Sequence, residues 1–180
     1  MKFKNILLIT ILAFSLISCK SNSQENFQIE NPIVKKNPTS YKGMRYPKPV
    51  GYVNDFENIL SETEKSELEK LIMEYEKSTT KEIVIVTIDS TFSFNDIHRF
   101  STELANEWGV GKMDKNNGLT IVVSKKLRKA AISTGYGTEK ILTDPICKKV
   151  LVSIMVPEFK KEEFYIGIKK GLDELIDKWK

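Results

Sequence analysis

The densest group of chemistry-bearing side chains is Asp114-Lys115-Asn116-Asn117-Gly118, directly ahead of an apolar run. Carboxylate and amide oxygens this close together are the hard ligands that Ca²⁺ or Mg²⁺ takes. The spacing is not that of an EF-hand loop, because the glycine comes one position early and no Glu stands at position 12. The same residues also read as a turn, since Asn-Asn-Gly tolerates left-handed backbone. Asp144-Pro145 has two readings as well: an oxygen ligand, or a helix start with Asp as N-cap and Pro at N1. Gly135-Tyr136-Gly137 offers an exposed backbone between them in sequence. Cys147 falls inside an apolar helical pattern and reads as a buried small hydrophobe. Nothing brings the sole histidine, His98, to it, so cysteine–histidine nucleophilic chemistry is not expected.

The elements that must position these groups follow from hydrophobic period. Ser61 and Glu64 make a capping box. Behind it Leu68, Leu71, Ile72 and Tyr75 recur at helical spacing, predicting a helix from about residue 62 to 78. The run 83–88 (IVIVTI) is apolar at both parities and mostly β-branched, as in a strand covered on both faces. A second helix is expected from about 94 to 108, with Ile97, Phe100, Leu104 and Trp108 inward. Gly118 to Ser124 is a second buried strand. Lys129 to Thr134 returns as a third, so Lys125-Lys126-Leu127-Arg128 is an exposed hairpin turn. A helix begins at Asp144 and is stopped by Pro157. A last helix runs from about 161 to 179. Helices alternating with doubly buried strands give an α/β fold. It is a three-layer α/β/α sandwich whose mixed, mostly buried sheet is flanked by about four helices.

A parallel crossover between the first two strands puts Asp114 to Gly118 at the amino end of the second. The third strand then ends at Gly135-Tyr136-Gly137 on the same rim, with Asp144 a short connection away. Asn54-Asp55 precedes the first helix and belongs at the other end, so either there are two polar sites or the strand order differs.

Residues 1–18 read as a lipoprotein signal peptide. Lys2 and Lys4 form a basic n-region, and the apolar stretch Ile6 to Ile17 is too short to span a bilayer. Leu16-Ile17-Ser18-Cys19 resembles the bacterial lipobox, in which the cysteine is lipidated. Cys19 is therefore the expected membrane anchor, placing the protein in the cell envelope with its domain outside the cytoplasm. Residues 19–49 carry four of the six prolines and no sustained period, and read as a flexible tether reaching roughly 30 Å. Residues 50–180 form the domain. With 28 Lys and Arg against 24 acids in 180 residues, the charge is too balanced for a nucleic-acid partner. Loss of Lys2 and Lys4 with the signal balances it further. With Cys19 lipidated, Cys147 has no intramolecular disulfide partner.

Several segments occur in a telling order. They are Gly51-Tyr52-Val53-Asn54-Asp55-Phe56, the capping-box helix, Trp108-Gly109-Val110-Gly111, Asn117-Gly118-Leu119, Arg128, Gly135-Tyr136-Gly137 and Leu142-Thr143-Asp144. Together they resemble the TPM domain, the family of the thylakoid-lumen acid-phosphatase-like proteins, over about residues 50 to 178. The resemblance implies an α/β/α fold, a position facing a membrane, divalent-cation binding (calcium most often) and, for some members, a proposed phosphatase activity. Carried over by position, it implies Asp55, Asn117 and Asp144 as metal ligands and Arg128 as a phosphate or carboxylate clamp. Asp114 joins the metal set, and the Gly135 and Gly137 backbone the ligand set, from the local reading. Where the family usually places an acidic residue before the arginine, this chain has Lys125-Lys126-Leu127. Ala130-Ala131 is also blander than the usual alternation.

Two functions follow. One is an envelope lipoprotein with a cation-binding accessory or interaction domain, a membrane complex being its possible partner. A sensing or structural-support role would look the same. The alternative is a metal-dependent acid phosphatase with Asp114, Asp144 and Arg128 as its parts; no residue stands out as nucleophile. Arg128 facing the Asp114–Asp144 rim would favour the phosphatase, and the non-enzymatic module is the expected role.

Overall fold

The computed structural model describes residues 28–29, 46–92 and 94–180. Cys19, the expected signal peptide and most of the expected tether lie outside these residues. Among the described residues the sheet has five strands: β1 (Gln28–Ile29), β2 (Val53–Asp55), β3 (Glu82–Thr87), β4 (Gly118–Ser124) and β5 (Lys129–Thr134), in the order β1-β5-β4-β3-β2. β2, β3 and β4 run parallel, β5 is antiparallel to β4, and β1 adds to β5 in parallel.

Side-chain alternation divides the sheet between two layers of helix. Ile83 and Ile85 of β3 and Leu119, Ile121 and Val123 of β4 face α1 (Glu62–Thr79), α3 (Asp144–Val150) and α5 (Phe164–Lys178). Val86 and Val122 face α2 (Ile97–Trp108), where Phe100 and Leu104 complete a second core. The three-layer α/β/α sandwich is thus present. Among the described residues no helix is long and apolar enough to cross a membrane.

Several boundaries differ from the sequence reading for identifiable reasons. The second helix starts at Ile97, because the Asp96 side chain caps it by accepting from the His98 and Arg99 amides. Thr143, not Asp144, occupies the N-cap of α3, and Asp144 is its first helical residue. Pro157 does not end that helix. A π-helical segment, Leu151–Met155, follows α3 and leads into α4 (Val156–Phe159), with Pro157 in its first turn. Its missing amide and its ring interrupt the helical ladder, and the wider π turn directly ahead of it is one of the places where such a break is taken up. Packing also begins earlier than residue 50: Tyr46 stacks on Phe94 at 6.4 Å between ring centroids, and the Trp108 indole donates to the Pro47 carbonyl at 3.0 Å.

The capping box forms as read, the Glu64 amide donating to Ser61 Oγ at 3.3 Å and the Ser61 amide to the Glu64 carboxylate at 2.7 Å. The chain end is fixed from two sides. The Trp179 carbonyl accepts from the Tyr75 hydroxyl at 3.0 Å and from the Lys81 ammonium.

Candidate functional site

The polar residues of interest divide between the two ends of the sheet. Glu82 is in register with Gly118 at the amino end of the parallel strands, and Asp55 with Thr87 at the carboxyl end. Six strand residues separate these ends by about 16 Å.

At the amino end the structure gathers Asp114, Asn117, Gly135 and Gly137. Asn117 is buried. Its Oδ1 accepts from the Lys112 amide at 2.9 Å, and its Nδ2 donates to the Thr80 carbonyl at 2.8 Å. Both ends of the amide are thus committed to holding the 112–117 loop against the end of α1. The loop itself is a turn: the Lys115 and Asn116 amides both donate to the Lys112 carbonyl, and Asn116 has φ 48°. Asp114 is exposed on this turn.

The glycines here are explained by close backbone approach. A methyl group on Gly135 would overlap the Asn116 carbonyl oxygen, and one on Gly137 the Lys115 carbonyl oxygen. Gly118 is equally tight against the Val110 carbonyl, and Gly111, at φ 104°, would meet the Gly118 amide at 2.6 Å. The Trp-Gly-Val-Gly, Asn-Gly-Leu and Gly-Tyr-Gly segments are therefore interlocking pieces of one backbone knot.

Asp144 is half-buried at the start of α3 and pushes up the pKa of Cys147. Burial is the larger cause of that rise, which takes the thiol to about 12. Cys147 Sγ lies 3.5 Å from the Leu142 carbonyl, in the layer across the sheet from His98. A thiol held protonated is a poor nucleophile. With Cys19 replaced by serine, native protein at pH 8 is expected to be inert to Ellman's reagent and to release one equivalent of chromophore only when unfolded. Rapid reaction of the folded protein would contradict this burial.

At the carboxyl end stand Asp55, Glu57, Asp89 and Arg128. Open α/β sheets commonly bind ligands on this side. Asp55 accepts from the Ile59 amide at 3.1 Å, the Leu60 amide at 2.9 Å and the Thr87 hydroxyl. Glu57 accepts from the Lys125 and Lys126 amides at 2.8 and 3.0 Å, so it clasps the β4–β5 turn. Burial pushes its carboxyl above the ordinary range, those two amides oppose the rise, and Asp89 and Asp55 add to it. Asp89 pairs with Lys126 at 2.9 Å. Arg128 closes the turn at φ 54°, its amide donating to the Lys125 carbonyl at 3.2 Å.

Arg128 and Asp114 are therefore at opposite ends, and the set Asp55, Asp114, Asn117 and Asp144 does not form one metal site. Among the described residues no three Asp, Glu, His or Cys side chains are grouped to hold a metal ion. The Asp55–Asp114 separation was implicit in the parallel crossover, as was the place of Arg128, since a β4–β5 hairpin must turn at the end away from Gly118. Glu57 and Asp89 gave no sequence signal, because each acts through contacts with distant residues.

Comparison with known proteins fits this architecture. No curated protein matches the sequence. The N-terminal domain of a P. gingivalis protein, solved in solution, is 27% identical with a TM-score of 0.65, covering 71% of this chain and 80% of that one. The N-terminal domain of cg2496 from Corynebacterium glutamicum shares the fold at 16% identity and TM-score 0.57, covering 82% and 87%. So does BA42 from the psychrophilic bacterium Bizionia argentinensis, at 19% identity and TM-score 0.59, covering 69% and 88%. The TPM domain description matches residues 53–178, and the chain belongs to that family.

Proposed function

We propose that the protein is a membrane-anchored envelope lipoprotein whose TPM domain is a non-catalytic interaction module. The anchor rests on the basic n-region, the short apolar stretch and the lipobox-like sequence ending in Cys19. The observation that carries the non-catalytic role is how the motif residues are used. Asp55 holds the turn that leads into α1, Asn117 pins the 112–117 loop, and the glycines allow backbones to interlock. Phosphoryl transfer needs a cationic clamp and carboxylates around one reacting centre. Arg128 and Asp114, cast in those parts, stand at opposite ends of the sheet. The carboxylates at the Arg128 end are engaged in the fold: Asp55 by the Ile59 and Leu60 amides, Glu57 by the Lys125 and Lys126 amides, and Asp89 by Lys126.

A calcium and magnesium titration of the full chain followed by amide shifts, with a phosphate-ester assay on the same sample, tests this. No hydrolysis and no saturable shift at Asp114–Gly118 are expected. Metal-dependent hydrolysis abolished by Asp114→Ala would overturn the reading in favour of the phosphatase.

A further inference from the structure

A cavity lined by described residues lies outside both groups above. It has a volume of about 450 Å³ and lies between the carboxyl ends of α1 and α2, lined in part by Pro49, Tyr52, Glu76, Glu82, Ile83 and Trp108. That volume is within the usual range for small-ligand sites.

It exists because edge strand β2 starts late. The Ile85 amide donates to the Tyr52 carbonyl at 2.8 Å, and the Glu82 amide donates the other way, to Asn117, at 3.1 Å. Backbone direction alternates along a strand, so the amide and carbonyl of Ile83 point toward the β2 side. Among the described residues no chain pairs with them there, because the chain bends at residues 51–52 before β2 begins at Val53. Asn54, fully buried, fixes that bend: its Oδ1 accepts from the Val50 amide at 2.7 Å, and its Nδ2 donates to the Gly51 carbonyl at 2.9 Å. Among the described residues the sheet thus has a preformed notch, in which the Ile83 peptide unit has no strand partner and lines the cavity. Buried backbone groups are rarely left without a partner.

The walls carry charge of one sign in excess. Glu76 accepts from the Tyr52 hydroxyl at 2.5 Å and from Lys112 Nζ at 3.0 Å. Glu82 accepts from the Gly111 amide at 2.5 Å and also pairs with Lys112. One ammonium therefore serves two carboxylates, in a cavity also lined by a tyrosine and a tryptophan. Aromatic rings and an uncompensated carboxylate favour a cationic group.

We propose that this notch binds an extended peptide segment carrying a lysine or arginine. The peptide backbone pairs with Ile83 as β2 would have done, and the basic side chain enters between Tyr52 and Trp108 toward Glu76 and Glu82. Strand addition of this kind takes affinity from main-chain bonds and specificity from side-chain pockets. The site gives the interaction role proposed above a class of partner, yet it stands on different residues. Phosphatase activity would refute that role and leave the notch untouched.

The test is an amide-shift titration of the full chain with three probes: acetyl-Val-Lys-Val-amide, acetyl-Val-Leu-Val-amide and n-butylamine. The lysine peptide is expected to move the Ile83 amide and Trp108 indole signals saturably at millimolar concentration, with the leucine peptide at least about tenfold weaker. Glu82→Gln should weaken the lysine peptide by about tenfold, with unchanged signals at Lys125–Lys129 reporting an intact fold. Equal binding of both peptides would overturn the proposal. So would identical shifts with n-butylamine, or no movement of Ile83 and Trp108.

Discussion

Gly137→Ala is expected to destabilise the domain by about 3 kcal/mol, at the upper end of what overpacking costs. The added methyl would overlap the Lys115 carbonyl oxygen and approach the Asn116 carbonyl oxygen at 3.1 Å. Both belong to backbone that cannot turn aside. The Asn116 carbonyl already accepts from the Gly137 amide at 2.9 Å, so the 112–117 loop and the 135–137 segment would have to separate together. A domain of this size has roughly 5–15 kcal/mol of stability, and the midpoint should fall by about 10 °C. Gly109→Ala is the control. That glycine has φ 67° and open space around its α-carbon, so only the left-handed penalty of about 1 kcal/mol applies. Thermal melts of the two variants decide it: equal losses, or a Gly137→Ala change below about 0.5 kcal/mol, would show that the knot yields.

Asp55→Ala is expected to cost about 2–3 kcal/mol in the absence of any divalent cation. It removes the acceptor for the Ile59 and Leu60 amides and for the Thr87 hydroxyl, and Leu60 is buried. Unsatisfied buried donors cost about 1–3 kcal/mol each, less where water reaches them. Asp55→Asn keeps one carbonyl oxygen and should lose about half as much. Urea unfolding in EDTA separates this from a ligand role. A carboxylate kept mainly for a cation repels its neighbours when the cation is absent, so its removal would then stabilise the protein. A gain in stability for Asp55→Ala in EDTA would sink the capping account.

The long elements were legible because their periods were clean. The Leu68–Ile72 stripe, the doubly apolar 83–88 and 118–124 runs and the Ser61–Glu64 box each specify one element and one orientation. The sequence concealed what depends on a single residue's reach across the fold. β2 has only three residues, too few for any period, and is held by pairing with β3. Asn54 looked like half of a polar motif beside Asp55, yet it faces back to Val50 and Gly51 and opens the notch. In the sequence, Gly135 and Gly137 read as ligand-facing backbone, Gly118 as part of a turn, and Gly111 only as part of a family motif. They became intelligible only when the segments were seen to pass within contact of one another.

The π-helical turn at Leu151–Met155 has a further consequence, for how α5 can be packed. It holds one residue more than an α-helical turn would need, and so sets the direction in which Met155 and Phe159 leave the backbone. Both are directed at α5, where a methyl on Gly171 would strike the Met155 side chain and one on Gly167 the Phe159 ring. The extra residue and the two glycines therefore form one packing unit. Removing one residue from the π turn would re-aim both side chains and empty the space the glycines leave, and a methyl on either glycine would force Met155 or Phe159 out of it.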